Sequence, residues 1–337
     1  MLRSGPRDSI ADVAGVTVGH CTLAAGDLQT GVTVVRPHPG NPFADKVPAA
    51  AVVINGFGKS AGLIQVNELG VLETPVALTN TFAVGTVVTA QIRAAIRANP
   101  EIARTTSSVN PLVFECSDAY LSDMQALAVT ADHYDTALAA AAAGFARGSV
   151  GAGRGMSCFG LKGGIGTASR EAGAGERTYT LGALVLANFG KLESLTLAGR
   201  RIGPALARRL ATLAPQRDQG SIIVVMATDA PLDHRQLRRV ATRAAAGIGR
   251  TGSYYGHGSG DIALAFATHQ IVPHAGGEVL LRTVLAEPLL DTLFDAAAEA
   301  TEAAIVDALF SAETVVGFQG HVRHSLPDVA PDWADLR

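Results

Sequence analysis

Three stretches of this chain are apolar at nearly every position: Thr178 to Ala187, Ser221 to Thr228 and Ile262 to Thr268. They are short for helices and rich in Val, Ile and Leu, so the reading is of strands, with apolar residues on both faces. A sheet built from such strands has to be covered on both sides, which demands a layered protein. A hydrophobic content of 48% over 337 residues supplies the core for it.

The remaining pattern fills in the layers. Val16 and Val18, then Val32 and Val34, alternate as two half-buried strands within residues 9–36. Pro48 to Asn55, Pro75 to Thr79 and Val113 to Glu115 read as further strands. Helical spacing covers Ala83 to Asn99, His133 to Arg147, residues 202–213, about 233–249 and Leu289 to Ser311. Strands come in blocks with helices between them, so the fold class is α+β rather than strict βαβ alternation. The glycine-dense run from Gly148 to Arg170 reads either as a loop lining a site or as tight hairpins, and the tail from Gly320 reads as surface.

The chemistry centres on Gly252–Ser253, where the 233–249 helix hands over to the strand at 262–268. Glycine before a hydroxyl residue at such a junction allows close approach to its carbonyl and holds strained angles. Cleavage there frees the α-amine of Ser253. With an ordinary pKa of about 7.7–8, that amine can act as base for its own hydroxyl near neutral pH. Most Gly-Ser pairs are ordinary turns, so the dipeptide needs support from elsewhere.

Several rival sites fail on spacing. Gly56-Phe-Gly-Lys-Ser60 lacks the first glycine of a phosphate loop, since Val53 occupies its place, and Gly151-x-Gly153 is followed by Met156 where a dinucleotide fingerprint needs glycine. Ser259 lies between His257 and Asp261, but a triad of sequence neighbours is rarely compatible with strand and turn geometry. The nine histidines form no metal-ligand pair with a third partner, so no metal and no cofactor is expected. Net charge is −3 with no basic block, which argues against nucleic acid. Three widely spaced cysteines, no apolar N-terminal segment and no apolar run approaching membrane length give the expectation of a cytoplasmic protein without membrane contact.

The stretches Ile10 to His20, Leu78-Thr-Asn-Thr81, Phe159 to Arg170, Leu184 to Gly190, Gly220 to Pro231 and Arg250-Thr-Gly-Ser-Tyr-Tyr-Gly256 together resemble the self-processing serine hydrolases of the L-aminopeptidase/D-esterase and β-peptidyl aminopeptidase family. The Lys162-Gly-Gly-Ile-Gly-Thr167 and Arg250-Thr-Gly-Ser253 combination is the specific part. The resemblance implies a four-layer αββα sandwich like that of N-terminal-nucleophile hydrolases, with different connectivity. It also implies one domain over residues 1–337, autocleaved into an α segment, 1–252, and a β segment, 253–337, and assembled as a homotetramer. The implied activity releases an N-terminal residue from short peptides, amides or esters. By the same resemblance Ser253 is the nucleophile, Asn188 an oxyanion donor, Glu115 the carboxylate that receives the substrate's ammonium, and Tyr120 a hydroxyl at the site.

On the residues alone, Asn188 could instead end a strand in an Asx turn, Glu115 could pair with a buried arginine, and Tyr120 could serve packing. Two positions depart from the family pattern. Its Ser-x-acid pair falls on Leu285-Ala-Glu-Pro288, leaving Glu287 as a displaced auxiliary acid, and Phe82 replaces a polar residue. Two other function classes stay open: an acyltransferase of the ornithine acetyltransferase type, against which the serine counts, and a catalytically weakened binding relative.

Overall fold

The computed structural model describes residues 1–210 and 220–336. Two sheets lie face to face. The smaller has the order β1-β2-β5-β6, built from Thr17–Ala25, Leu28–Arg36, Val76–Asn80 and Leu112–Cys116. The larger has seven strands in the order β15-β3-β14-β13-β10-β9, with β4 (Val71–Leu72) beside β3. Its strands are Val272–Pro273, Asp45–Gly56, Gly260–Ala267, Ser221–Thr228, Arg177–Asn188 and Gly164–Ala174. Strand β13 runs parallel to β14 and antiparallel to β10. Short hairpins complete the set: β7/β8 (Ser157–Cys158, Leu161–Lys162), β11/β12 (Thr196–Leu197, Arg200–Arg201) and β16/β17 (Val315–Val316, Val322–Arg323).

Side-chain alternation explains the layers. Leu184, Leu186, Val225, Leu264 and Phe266 meet Val18, Val76, Leu78 and Phe114 between the sheets. From the opposite face of the same strands, Val185, Val224, Met226 and Ala265 pack against helices α5 (His234–Thr242), α6 (Ala244–Arg250) and α7 (Asp291–Phe310) through Leu237, Val240, Ile248, Leu293 and Ile305. The smaller sheet turns Val32, Val34 and Val113 outward onto α2 (Val84–Ala98) and α3 (Ala131–Ala139), where Val87, Tyr134 and Ala137 receive them. Helices α1 (Leu63–Leu69) and α4 (Gly203–Arg209) flank this αββα sandwich.

Of the two readings of the glycine-dense region the structure gives the hairpin one, with the β7/β8 hairpin followed from Gly164 by an eleven-residue strand, and three other expectations need correction. A Cβ on Gly166 would overlap the carbonyl oxygen of Ala304, so glycine is what lets α7 lie directly on β9. The helix read to Arg147 stops at Ala139, because Ala142 exchanges two backbone hydrogen bonds with Val18, at 3.0 and 3.1 Å. The helix read over about 233–249 is two, joined at Arg243. The tail is not all surface: Arg323, Leu326 and Ala330 are buried. The last residues of the helix read over 202–213 lie outside the described residues.

Candidate active site

The ends of several strands converge at one end of the sandwich. Asn188, last in β10, stands opposite Ser221, first in β13. Beside them β14 begins at Gly260 and Asp261, opposite Gly56 and Asn55 at the end of β3. From the other sheet come Asn80 and Cys116, paired at the ends of β5 and β6. The Cys116 thiol joins the two sheets, with Sγ 3.3 Å from the carbonyl oxygen of Ser221, and burial pushes that thiol up.

Glu115 is buried at this end. Its Oε1 accepts from the backbone N–H of Lys59 at 2.8 Å, and its Oε2 accepts from the Thr81 hydroxyl. Among the described residues no cation lies within ion-pair distance of it, so the buried Arg pairing is absent. A carboxylate held by donors and lacking a fixed cation is suited to receive one. Phe82, next to Thr81, is half-exposed.

The Asn188 side chain is held at both ends. Its Oδ1 accepts from the backbone N–H of Ser157 at 2.7 Å, and its Nδ2 donates to the carbonyl of Ser117 at 2.9 Å. An amide nitrogen carries two hydrogens, and this arrangement leaves the second for another acceptor. Asp118 follows Ser117. It is buried, and burial lifts its pKa to about 7 against the opposing pull of Thr30 and Asn80. Tyr120 lies in the turn that follows, with its ring between His321 and Arg323.

Helix α6 leads to Gly252 and Ser253. Gly252 has φ +102°, and its N–H donates to the carbonyl of Gly249 at 3.0 Å. Ser253 is half-buried, and its Oγ accepts from the N–H of Tyr255 at 3.4 Å. The segment beyond is tied to the sandwich end by Asn55, whose Nδ2 donates to the carbonyls of Gly256 (3.0 Å) and Ser259. The Ser259 hydroxyl donates to Asp261 at 2.6 Å. Among the described residues Ser253 makes no direct hydrogen bond to Asn188, Glu115 or Tyr120; what they share is the end of the sandwich.

Glu287 belongs elsewhere. It is paired with Arg235 and Arg239 on α5 and accepts from Gln236 at 2.8 Å. Those residues sit on a helix that follows the Thr228 end of β13, whereas Asn188 pairs with its Ser221 end. The auxiliary role read for Glu287 is therefore not supported by its position. The charge of its two arginine neighbours is what fixes it there.

Sequence reading missed Ser157, Ser117 and Arg323, the residues that hold Asn188 and Tyr120. Lys162 of the glycine-rich motif is fully buried, donates to the carbonyls of Gly153 (2.9 Å) and Gly163 (2.8 Å), and has its pKa pushed well down by burial. It braces the turn that carries Ser157. Among the described residues no group of three or more His, Cys, Asp or Glu side chains could hold a metal, and no helix is long and apolar enough to cross a membrane.

Comparison with known proteins gives one consistent result. The model of peptidase family S58 matches residues 8–323. The chain is 38% identical over 346 residues to the β-peptidyl aminopeptidase BapA of Sphingosinicella xenopeptidilytica, covering 96% of this chain and 85% of the relative. Among solved structures, a β-aminopeptidase from Burkholderia sp. superposes with a TM-score of 0.90 at 38% identity, over 98% of this chain and 96% of the other. The L-aminopeptidase D-Ala-esterase/amidase of Ochrobactrum anthropi, described as a variant of the Ntn hydrolase fold, superposes with a TM-score of 0.90 at 34% identity, over 100% and 97%.

Proposed function

The chain belongs to peptidase family S58, and on that premise we propose that it is a serine-type aminopeptidase that activates itself by cleaving Gly252–Ser253. It releases the N-terminal residue from short peptides, amides or esters, β-aminoacyl ones included, by way of an acyl-enzyme on Ser253. The observation that carries this reading is that Gly252–Ser253, following α6 and lying against the segment that leaves β10, sits at the sandwich end where Asn188 closes β10 and Glu115 is the next-to-last residue of β6.

In the cleaved protein the α-amine of Ser253 takes the proton from its own Oγ as Oγ attacks the substrate carbonyl. Glu115 holds the substrate's ammonium, which selects a free N-terminus. The second N–H of Asn188, with Tyr120 and a backbone N–H, meets the oxyanion. The Ser253 ammonium returns its proton to the leaving amine or alcohol, and water then releases the acyl group, regenerating the hydroxyl. The one-domain protomer, segments 1–252 and 253–337 together, works in the cytoplasm as a homotetramer. Neither an acyltransferase nor a binding relative is favoured by any feature of the site.

The test is N-terminal sequencing of the smaller fragment together with turnover of aminoacyl p-nitroanilides by the wild type and by Ser253→Ala. The expected result is a fragment beginning at Ser253, and a variant that neither cleaves itself nor turns over. Turnover by an unbroken chain would overturn the reading.

A further inference from the structure

Arg323 is 6% exposed, and among the described residues no carboxylate lies within ion-pair distance of it. Burial lowers its pKa, and the neighbouring group that offsets this is Tyr120. A guanidinium taken out of water without a counter-ion is destabilising unless its donors and its face are used. Here both are used: Nη1 donates to the carbonyl of Val322 at 3.3 Å within the hairpin, while Nε and the guanidinium face turn to the site.

The guanidinium carbon lies 3.4 Å from the centre of the Tyr120 ring. His321 stacks on the same ring at 4.5 Å and 7°. Two flat groups this near one ring have to take opposite faces. His321 also bonds the Tyr120 carbonyl oxygen through Nδ1, at 2.8 Å. The ring is therefore clamped, and its hydroxyl can move only in its own plane.

The second connection runs to Asn188. Arg323 Nε donates to the hydroxyl of Ser157 at 3.1 Å, and the backbone N–H of Ser157 donates to Asn188 Oδ1 at 2.7 Å. An asparagine amide has nearly the same shape either way round, so its orientation is set by its partners. The Ser157 N–H selects Oδ1, the Ser117 carbonyl selects Nδ2, and the free N–H of Asn188 is thereby aimed.

We propose that Arg323 is a positioning residue that orients both oxyanion donors, Tyr120 by stacking and Asn188 through Ser157. The inference rests on the roles proposed above for those two residues. It adds that a residue of the C-terminal hairpin, which touches neither the nucleophile nor Glu115, sets the rate of the chemical step.

The test is kinetic, on the full-length processed enzyme with an aminoacyl p-nitroanilide. Arg323→Met is expected to lower kcat about 10- to 100-fold, a fraction of what one oxyanion donor supplies. KM stays within about twofold, because Glu115 is untouched. In an Asn188→Ala background, where one of its two targets is gone, the same change costs markedly less, the mark of two residues acting as a unit. Ser157→Ala, which removes only the hydroxyl, lowers kcat in the same direction and carries the test should Arg323→Met fail to fold. Equal proportional losses with and without Asn188, a rise in KM at constant kcat, or unchanged kcat in Ser157→Ala overturns the inference. Asn188→Ala alone reads the oxyanion assignment, so a wild-type kcat there sinks that reading first.

Discussion

A Cβ on Gly252 would overlap the carbonyl oxygen of Ser194. The two segments, one entering the Gly252–Ser253 bond and one leaving β10, approach so closely that only glycine fits. With φ at +102°, Gly252 also occupies backbone space that costs a side-chain-bearing residue about 1–3 kcal/mol. The peptide carbonyl of Gly252 is therefore held in one orientation, and any larger residue must move it.

We expect Gly252→Ala to fold and to lower the rate of self-cleavage by about tenfold or more, since each 1.4 kcal/mol of misplacement is a factor of ten. Denaturing electrophoresis over time reads it. A cleavage rate equal to the wild type would mean that the geometry at residue 252 does not govern scission.

Asn188→Ala removes an oxyanion donor while leaving the ammonium subsite alone. The expected loss is about 10²- to 10³-fold in kcat, as for other single donors, with KM little changed. Steady-state kinetics at saturating substrate checks it, on material shown to be cleaved so that processing and turnover are separated.

Glu115→Gln keeps an acceptor for the Lys59 N–H and a partner for the Thr81 hydroxyl, and removes only the charge. Losing a charged hydrogen bond to the substrate ammonium should cost about 1.5–3 kcal/mol, read as a 10- to 100-fold drop in kcat/KM carried by KM. An ester of the same acyl size without the amine should be turned over equally by both proteins. A loss for both substrates would assign Glu115 to structure instead.

Asp118 makes stability depend on pH. Burial lifts its carboxyl from 3.8 to about 7, with Thr30 and Asn80 only partly offsetting this. Between those values the folded chain holds a proton that the unfolded chain has lost. The contribution is therefore complete below about pH 4 and disappears as pH rises to about 7. A span of three units corresponds to roughly 4 kcal/mol as an upper figure. Urea unfolding should show Asp118→Asn gaining on the wild type as pH goes from 5 to 8. A constant difference between the two proteins would show that Asp118 does not titrate in this range.

Much of the architecture was legible because the core strands are apolar on both faces and the helices carry one stripe. The roles of Asn188 and Glu115 came from the family resemblance; the pattern alone marks them only as polar residues that end apolar runs, which an Asx turn or a buried ion pair would fit as well. Strand β9 was hidden because its α7-facing positions are Gly166, Ala168 and Ala172, small residues that let the helix close in and erase the period-two signal. Arg323 and Ser157 were invisible because their bond spans 166 positions of sequence, and no local pattern marks such a pair. Glu287 was misplaced because matching the family's Ser-x-acid pair to Leu285–Pro288 offers a carboxylate near the last helix but does not show that Arg235 and Arg239 hold it on α5.

The position of β14 has one last consequence. It lies inside the larger sheet, between β3 and β13, and it comes from the stretch beyond residue 253. A nick at that bond would give two polypeptides that remain interleaved like fingers, neither able to leave without exposing raw backbone on both sides of the gap. Scission would thus be cheap in structural terms, a covalent change with almost no mechanical one, and halves produced apart would be expected to precipitate rather than to find each other.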